Sequence, residues 1–120
     1  MIHFRVNGIP VPKQSFRYGS GHGYTDPRVV EWENTVRTAA IEATAQPYTG
    51  WVSVKMIFTL PNKRIKDGDN LAKAILDATK NVCFGDDNDV LHQEITKRFD
   101  KLNPGVDVTV EQYKVTLEDL

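Results

Sequence analysis

The chain has 120 residues, a formal net charge of −1, 40% hydrophobic and 26% charged residues; this suits one globular domain over 1–120 with its own core and excludes a disordered or fibrous protein. Cys83 is the single cysteine, so no internal disulfide forms and a structural zinc lacks thiolate partners; a reducing cytoplasm is the expected compartment. The balanced charge gives no global pull on nucleic acid, so DNA binding must arise from local arrangement, and the opening residues from Met1 carry no apolar stretch long enough for a signal peptide or membrane span.

Ile2, Phe4 and Val6 alternate with His3 and Arg5 before Asn7-Gly8, which predicts a first strand. From Gly8 to Tyr24 the prolines, glycines and basic residues show no sustained period, and a partly basic loop is expected. Asp26-Pro27 is a helix start, with Asp26 as N-cap and Pro27 where its missing N–H costs nothing; Val29, Trp32, Val36, Ala40 and Ala43 form the inward face until Pro47 and Gly50. Val52, Val54, Met56, Phe58 and Leu60 then alternate as a strand. Asp69 or Asn70 is expected to cap a second helix reaching Lys80, with Leu71, Ala74, Ile75 and Ala78 inward and Lys73 and Asp77 off that stripe. Val90 to Phe99 reads as a strand. Val106, Val108 and Val110 alternate in another, with a change of parity before Tyr113, Val115 and Leu117; a hairpin turned at Asn103-Pro104-Gly105 is the expected pairing of these last two strands. The order β-α-β-α-β-β defines an α+β domain, a mixed sheet with two helices packed on it.

The chemistry concentrates in two acidic clusters, Asp67-Gly68-Asp69-Asn70 and Asp86-Asp87-Asn88-Asp89, the first preceded by the cations Lys63, Arg64 and Lys66. In an extended segment an Asp-x-Asp pair points both carboxylates to one side, with Cα atoms roughly 6.6 Å apart, close enough to share one divalent ion. A phosphate between acids and cations accounts for their crowding. The helix between the clusters is expected to act as the spacer that brings a third acid back to the first two. Like charges about 4 Å apart repel by roughly 4 kcal/mol at an effective dielectric near 20, so three such acids persist by holding a cation or a proton. Oxygen-only donors favour magnesium, with manganese as a substitute, over zinc. Lys73, one turn into the helix, is placed to offset charge developing on a phosphate. The alternative reading of Asp67 and Asp69 is helix capping and loop solvation. An EF-hand is excluded, because Leu71, Ala72 and Ala78 stand where its later loop ligands and glycine belong.

The pattern Asp-x-Asp-Asn-x-x-Lys, then a helix and Asp-Asp before a hydrophobic strand, resembles the RusA-type Holliday junction resolvases, the crossover junction endodeoxyribonucleases, over nearly the whole chain. The resemblance implies a small α+β domain that dimerises and cuts branched DNA with magnesium, leaving 5′ phosphate and 3′ hydroxyl ends. It implies Asp67, Asp69 and Asp87 as the metal-binding catalytic carboxylates, Lys73 as the essential lysine and Asn70 as a motif residue. Spacing alone leaves Asp86, Asp87 and Asp89 open as the third acid; alignment of the Asp-Asp pair selects Asp87. Gly8 to Gln14 also resembles the family's early loop, although Ser15-Phe16-Arg17 departs from the usual Arg-Pro-Arg, and Lys13 and Arg17 join Lys63, Arg64, Lys66 and Asn70 as expected DNA contacts. Phe16, Tyr18 and Phe84 are candidates for stacking on unpaired bases, Phe84 also for the core. Two other functions fit parts of the pattern. A two-metal nucleotidyltransferase needs a Gly-Ser turn ahead of the acid pair, which Pro61 to Lys66 does not contain, and a non-catalytic DNA-binding module would use the acids only as caps.

Overall fold

A computed structural model describes residues 1–13, 17–19, 22–24, 26–64 and 66–114, with 17–19 and 22–24 described by their backbone. Its elements are β1 (Ile2–Asn7), β2 (Arg17–Gly19), β3 (His22–Tyr24), α1 (Pro27–Ala43), β4 (Val52–Leu60), α2 (Gly68–Thr79), a 3₁₀ turn (Asp87–Asp89), β5 (Val90–Phe99) and β6 (Gly105–Gln112). The expected β-α-β-α-β-β order is present. Within the segment expected to be a loop there is in addition a short antiparallel strand pair, β2 with β3, registered Arg17↔Tyr24; six residues, four of them glycine or tyrosine, carry too little pattern to announce it.

The main sheet runs β1-β6-β4-β5. β4 and β5 are parallel, from Val52↔Val90 to Leu60↔Phe99, joined by α2 as the crossover that parallel neighbours require. β6 lies antiparallel between β1 and β4, with Ile2↔Val110 on one side and Val54↔Val110 on the other. The expected β5–β6 hairpin is therefore wrong: the two strands flank β4. The cause is visible at the turn. Gly8 N–H donates to the Pro104 carbonyl (3.0 Å), and a Cβ on Gly105 would come within 2.5 Å of the Val6 carbonyl. Pro104-Gly105 thus serves a close approach to β1, and the loop before it carries the chain across the end of β4.

Alternation in the strands delivers one apolar face to both helices. Ile2, Phe4, Val6, Val54, Met56, Phe58, Val106, Val108 and Val110 pack with Trp32, Val36 and Ala40 of α1 and with Leu71, Ile75 and Ala78 of α2 in a single core. The helix stripes are those the spacing predicts, and Phe84 is fully buried, which assigns it to the core. α1 is capped as expected, Asp26 accepting from Arg28 N–H at 2.9 Å. It ends at Ala43, earlier than Pro47, where Thr44 turns its hydroxyl back to the Ala40 carbonyl (2.6 Å). The other face of the sheet is polar, crossed by the Arg5–Asp107 ion pair (2.7 Å). β5 is the edge strand beside β4, with Leu91 and Phe99 about half exposed.

Candidate active site

α2 starts earlier than its sequence suggests. Asp67 is the N-cap, its carboxylate accepting from Asp69 N–H (2.9 Å) while its carbonyl takes Leu71 N–H (3.0 Å). Three cap-competent residues stand in a row here; packing decides between them. Gly68 lies directly on β5, where a Cβ would sit 3.5 Å from Ile95 Cγ2, so the helix begins as soon as the chain reaches the sheet. The Asp-x-Asp pair therefore straddles a helix start and is not an extended segment. The carboxylates lose the common side that an extended segment would give them, since residues two apart at a helix start do not face each other, but both are exposed at the positive end of the helix dipole.

Asp69, Lys73 and Asp77 follow at intervals of four along α2, so they form a stripe with Lys73 between the two acids. Lys73 is exposed and forms no hydrogen bond or ion pair among the described residues. Asn70 is half-buried, and its carbonyl accepts from Lys13 N–H (2.9 Å).

The second cluster sits elsewhere. After α2 the chain turns through Asn81, which takes a left-handed φ of 63° that asparagine tolerates, and Phe84 enters the core. Asp86 then caps Asp87 N–H (2.8 Å), and Asp89 folds back onto Asp86 N–H (3.2 Å) in a capping box. Gly85 makes this possible, since a Cβ there would lie 3.0 Å from the Asp89 carboxylate. Asp86 and Asp89 are thus occupied in holding the turn, with Lys80 Nζ 3.7 Å from Asp86. The Asp87 carboxylate is exposed and, among the described residues, takes no bond. The one acid that the turn leaves free is the one the Asp-Asp alignment selects.

The two clusters lie at opposite ends of α2. Twelve residues at 1.5 Å each make the helix about 18 Å long. The strand gives the same answer: Gly68 rests on Ile95, Asp87 precedes Val90, and five strand steps between Val90 and Ile95 span about 17 Å. Among the described residues no three His, Cys, Asp or Glu side chains converge to hold a metal ion. The expectation that the helix brings the clusters together within one chain is overturned; α2 separates them.

Of the expected DNA contacts, Lys63 and Arg64 are exposed in the turn before α2, where Asn62 accepts from Arg64 N–H (2.9 Å). Lys66 is half-buried, its ammonium donating to the Pro10 carbonyl (2.8 Å); burial, reinforced by nearby Arg28, lowers its pKa below the ordinary lysine value. Lys97 Nζ reaches the Lys66 carbonyl at 3.2 Å. Lys13 is engaged by Asp77 (2.6 Å) and Glu33 (3.1 Å). Burial alone would lower the Lys13 pKa, but the two carboxylates outweigh it and hold the group above its usual range. The expected phosphate contact is thus already paired. The side chains of Arg17 and Tyr18, and Gln14, Ser15 and Phe16, lie outside the described residues, as do Val115 and Leu117. The Lys13–Asp77–Glu33 cluster has no sequence signal, because Lys13 and Asp77 are 64 positions apart; the sequence places Asp77 off the apolar stripe of its helix and says nothing of its partners.

A polar cleft of about 430 Å³ between Arg5, Thr59 and Arg98 includes none of these acids. The acids and cations stand on open surface at the two ends of α2, as suits an extended polyanionic substrate better than an enclosed small molecule. The start of α2 thus presents exposed Asp67 and Asp69, an exposed Lys73 unpaired among the described residues, and the flanking cations Lys63 and Arg64 on a small α+β domain. The chain belongs to the endodeoxyribonuclease RusA family, whose model matches residues 7–111. It is 26% identical, over 94% of its length and 93% of the relative's, to the crossover junction endodeoxyribonuclease RusA of Aquifex aeolicus (strain VF5). No helix among the described residues is long and apolar enough to cross a membrane.

Proposed function

We propose that the chain acts as a homodimeric endodeoxyribonuclease that resolves four-way DNA junctions by paired nicks, in recombination and repair in the cytoplasm, with magnesium as its metal. The observation that carries this reading is the start of α2: Asp67 at the cap and Asp69 in the first turn, both exposed, with Lys73 one turn along from Asp69 and unpaired among the described residues. The donor set is all carboxylate oxygen, which fits magnesium or manganese. Asp67 keeps one carboxylate oxygen beyond its capping bond, and Asp69 keeps both. When bound, the ion supplies Lewis-acid polarisation of the phosphate and a lowered pKa for the attacking water.

Because α2 holds Asp87 far from Asp67 and Asp69, the third carboxylate comes from a second copy. β5 is an edge with a strand neighbour on one side, and antiparallel pairing of two such edges about a two-fold axis near His92 would lay the turn before Val90 of one copy alongside Ile95 to Lys97 of the other, close to where α2 begins. Each of the two sites then consists of Asp67, Asp69 and Lys73 with the partner's Asp87. Asp67 and Asp69 bind the ion, Lys73 offsets charge on the transferring phosphate, and Lys63 and Arg64 hold the backbone. Two-fold symmetry matches the two equivalent strands of a junction.

The test is cleavage of a synthetic four-way junction, a flap and a linear duplex across a magnesium titration. Magnesium-dependent paired nicking of the junction, abolished in Asp69→Asn while binding persists, is the expected result. Junction binding without cleavage in any metal would make the chain a DNA-binding module instead.

A further inference from the structure

Lys73 stands between two acids on one helical stripe. Asp69 is one turn toward the N-terminus and Asp77 one turn toward the C-terminus, both at the spacing where a lysine and a carboxylate pair on a helix. Left to itself, the Lys73 ammonium divides its time between them, and any share spent on Asp77 is withdrawn from the acidic start of α2. The fold removes that competitor. Lys13, brought from the far side of the sequence, binds the Asp77 carboxylate at 2.6 Å, and Glu33 of α1 closes on the same ammonium at 3.1 Å. Its backbone is fixed as well, Lys13 N–H donating to the Asn70 carbonyl and Pro10 O accepting from Lys66. Arg37 adds a second cation beside Asp77, its guanidinium donating to the Asp77 and Ala78 carbonyls (2.9 and 3.1 Å). Lys13 and Asp77 are both about one-quarter exposed, so this pair is better shielded than one made by the exposed Lys73.

We propose that Lys13 is a positioning residue which, by occupying the Asp77 carboxylate, keeps Lys73 free to serve the acidic start of α2. This rests on the endonuclease reading above. Lys13 touches neither substrate nor metal; it acts through Asp77 on Lys73. A strap that only stabilised the fold would make Asp77 as necessary as Lys13. The proposal makes the opposite demand: with Lys13 gone, Asp77 becomes harmful, and its removal restores function.

The experiment is single-turnover and steady-state cleavage of a four-way junction by the full-length chain. Lys13→Met is expected to lower kcat roughly three- to tenfold with KM unchanged, the scale on which an ion pair of this kind redistributes a side chain. Lys13→Met with Asp77→Asn is expected to return kcat to within about twofold of the parent, and Lys13→Arg to retain it. A double variant no better than Lys13→Met, or a loss confined to KM, overturns the proposal; the second result would make Lys13 a phosphate contact. A readout independent of cleavage is the ¹³C carboxyl titration of Asp77. Replacing Lys73 by alanine should move it in the Lys13→Met background and leave it in place in the parent, and equal shifts in both backgrounds overturn the proposal. If the parent chain cuts no DNA, the endonuclease reading fails, and the Asp77 titration still decides whether Lys13 releases Lys73.

Discussion

Mixing two inactive variants should restore cutting. One carries Asp67→Asn with Asp69→Asn, the other Asp87→Asn. Ligands of one magnesium lie about 2.1 Å from it, so two carboxylate oxygens that share it are no more than about 4 Å apart. The ends of α2 are separated by about 18 Å, and no side-chain movement closes that gap within one chain. In a two-fold dimer with shared sites, each parent homodimer is dead at both. In the mixed dimer one site combines both lesions, while the other receives Asp67 and Asp69 from one copy and Asp87 from the other, all intact. Random exchange at equal concentrations gives about half mixed dimers, each with one live site of two, so strand cutting should reach about a quarter of the parent value. The cuts should be single nicks, since paired resolution needs both sites. The assay is a denaturing gel of a junction labelled on each strand, after subunit exchange has been verified by tagged pull-down. A mixture in which exchange is complete and cutting stays at the level of the separate parents would refute the shared site.

Two further outcomes are expected. Asp67→Asn retains an oxygen that accepts the Asp69 N–H, so stability should change by less than about 0.5 kcal/mol while cleavage falls by about two orders of magnitude or more. Asp67→Ala should lose both the cleavage and about 1 kcal/mol in urea unfolding. The buried Cys83 thiol has its pKa pushed above the ordinary thiol value by burial, with the Thr44 contact a smaller opposing effect. The unfolded chain therefore ionises first as pH rises, and stability should drop above about pH 8.5. Denaturant midpoints from pH 7 to 10 should show a decline that Cys83→Ser lessens.

How far the sequence reaches depends on what kind of contact is asked of it. The stripe Val29, Trp32, Val36, Ala40 and the alternation from Val52 to Leu60 are set by burial periodicity, and both sit where that periodicity puts them. Pairing is different, because the alternation of Val106, Val108 and Val110 says which face is buried and nothing about which strands lie alongside. The local turn residues then suggested β5, whereas Gly105 answers to the backbone of β1. The same limit applied to the acids. Their types and spacing raise the expectation of a metal site, but whether a helix joins or separates two clusters depends on the direction of the crossover, which appears only with the parallel β4–β5 register. Spacing does not separate Asp87 from Asp86 and Asp89; the family resemblance selects it, and the turn that consumes its neighbours' carboxylates gives the physical distinction.

The order of strands also governs how this chain is made. β1 is synthesised first, yet its neighbour in the sheet is β6, with Ile2 facing Val110. Until the ribosome has delivered residues 105–112, the first strand has no ladder to join, and its Ile2, Phe4 and Val6 face water or a chaperone. A chain made only as far as β5 thus carries Asp67, Asp69, Lys73 and Asp87 without the strand that joins β1 to β4, and the four-stranded sheet forms only once residues 105–112 are present.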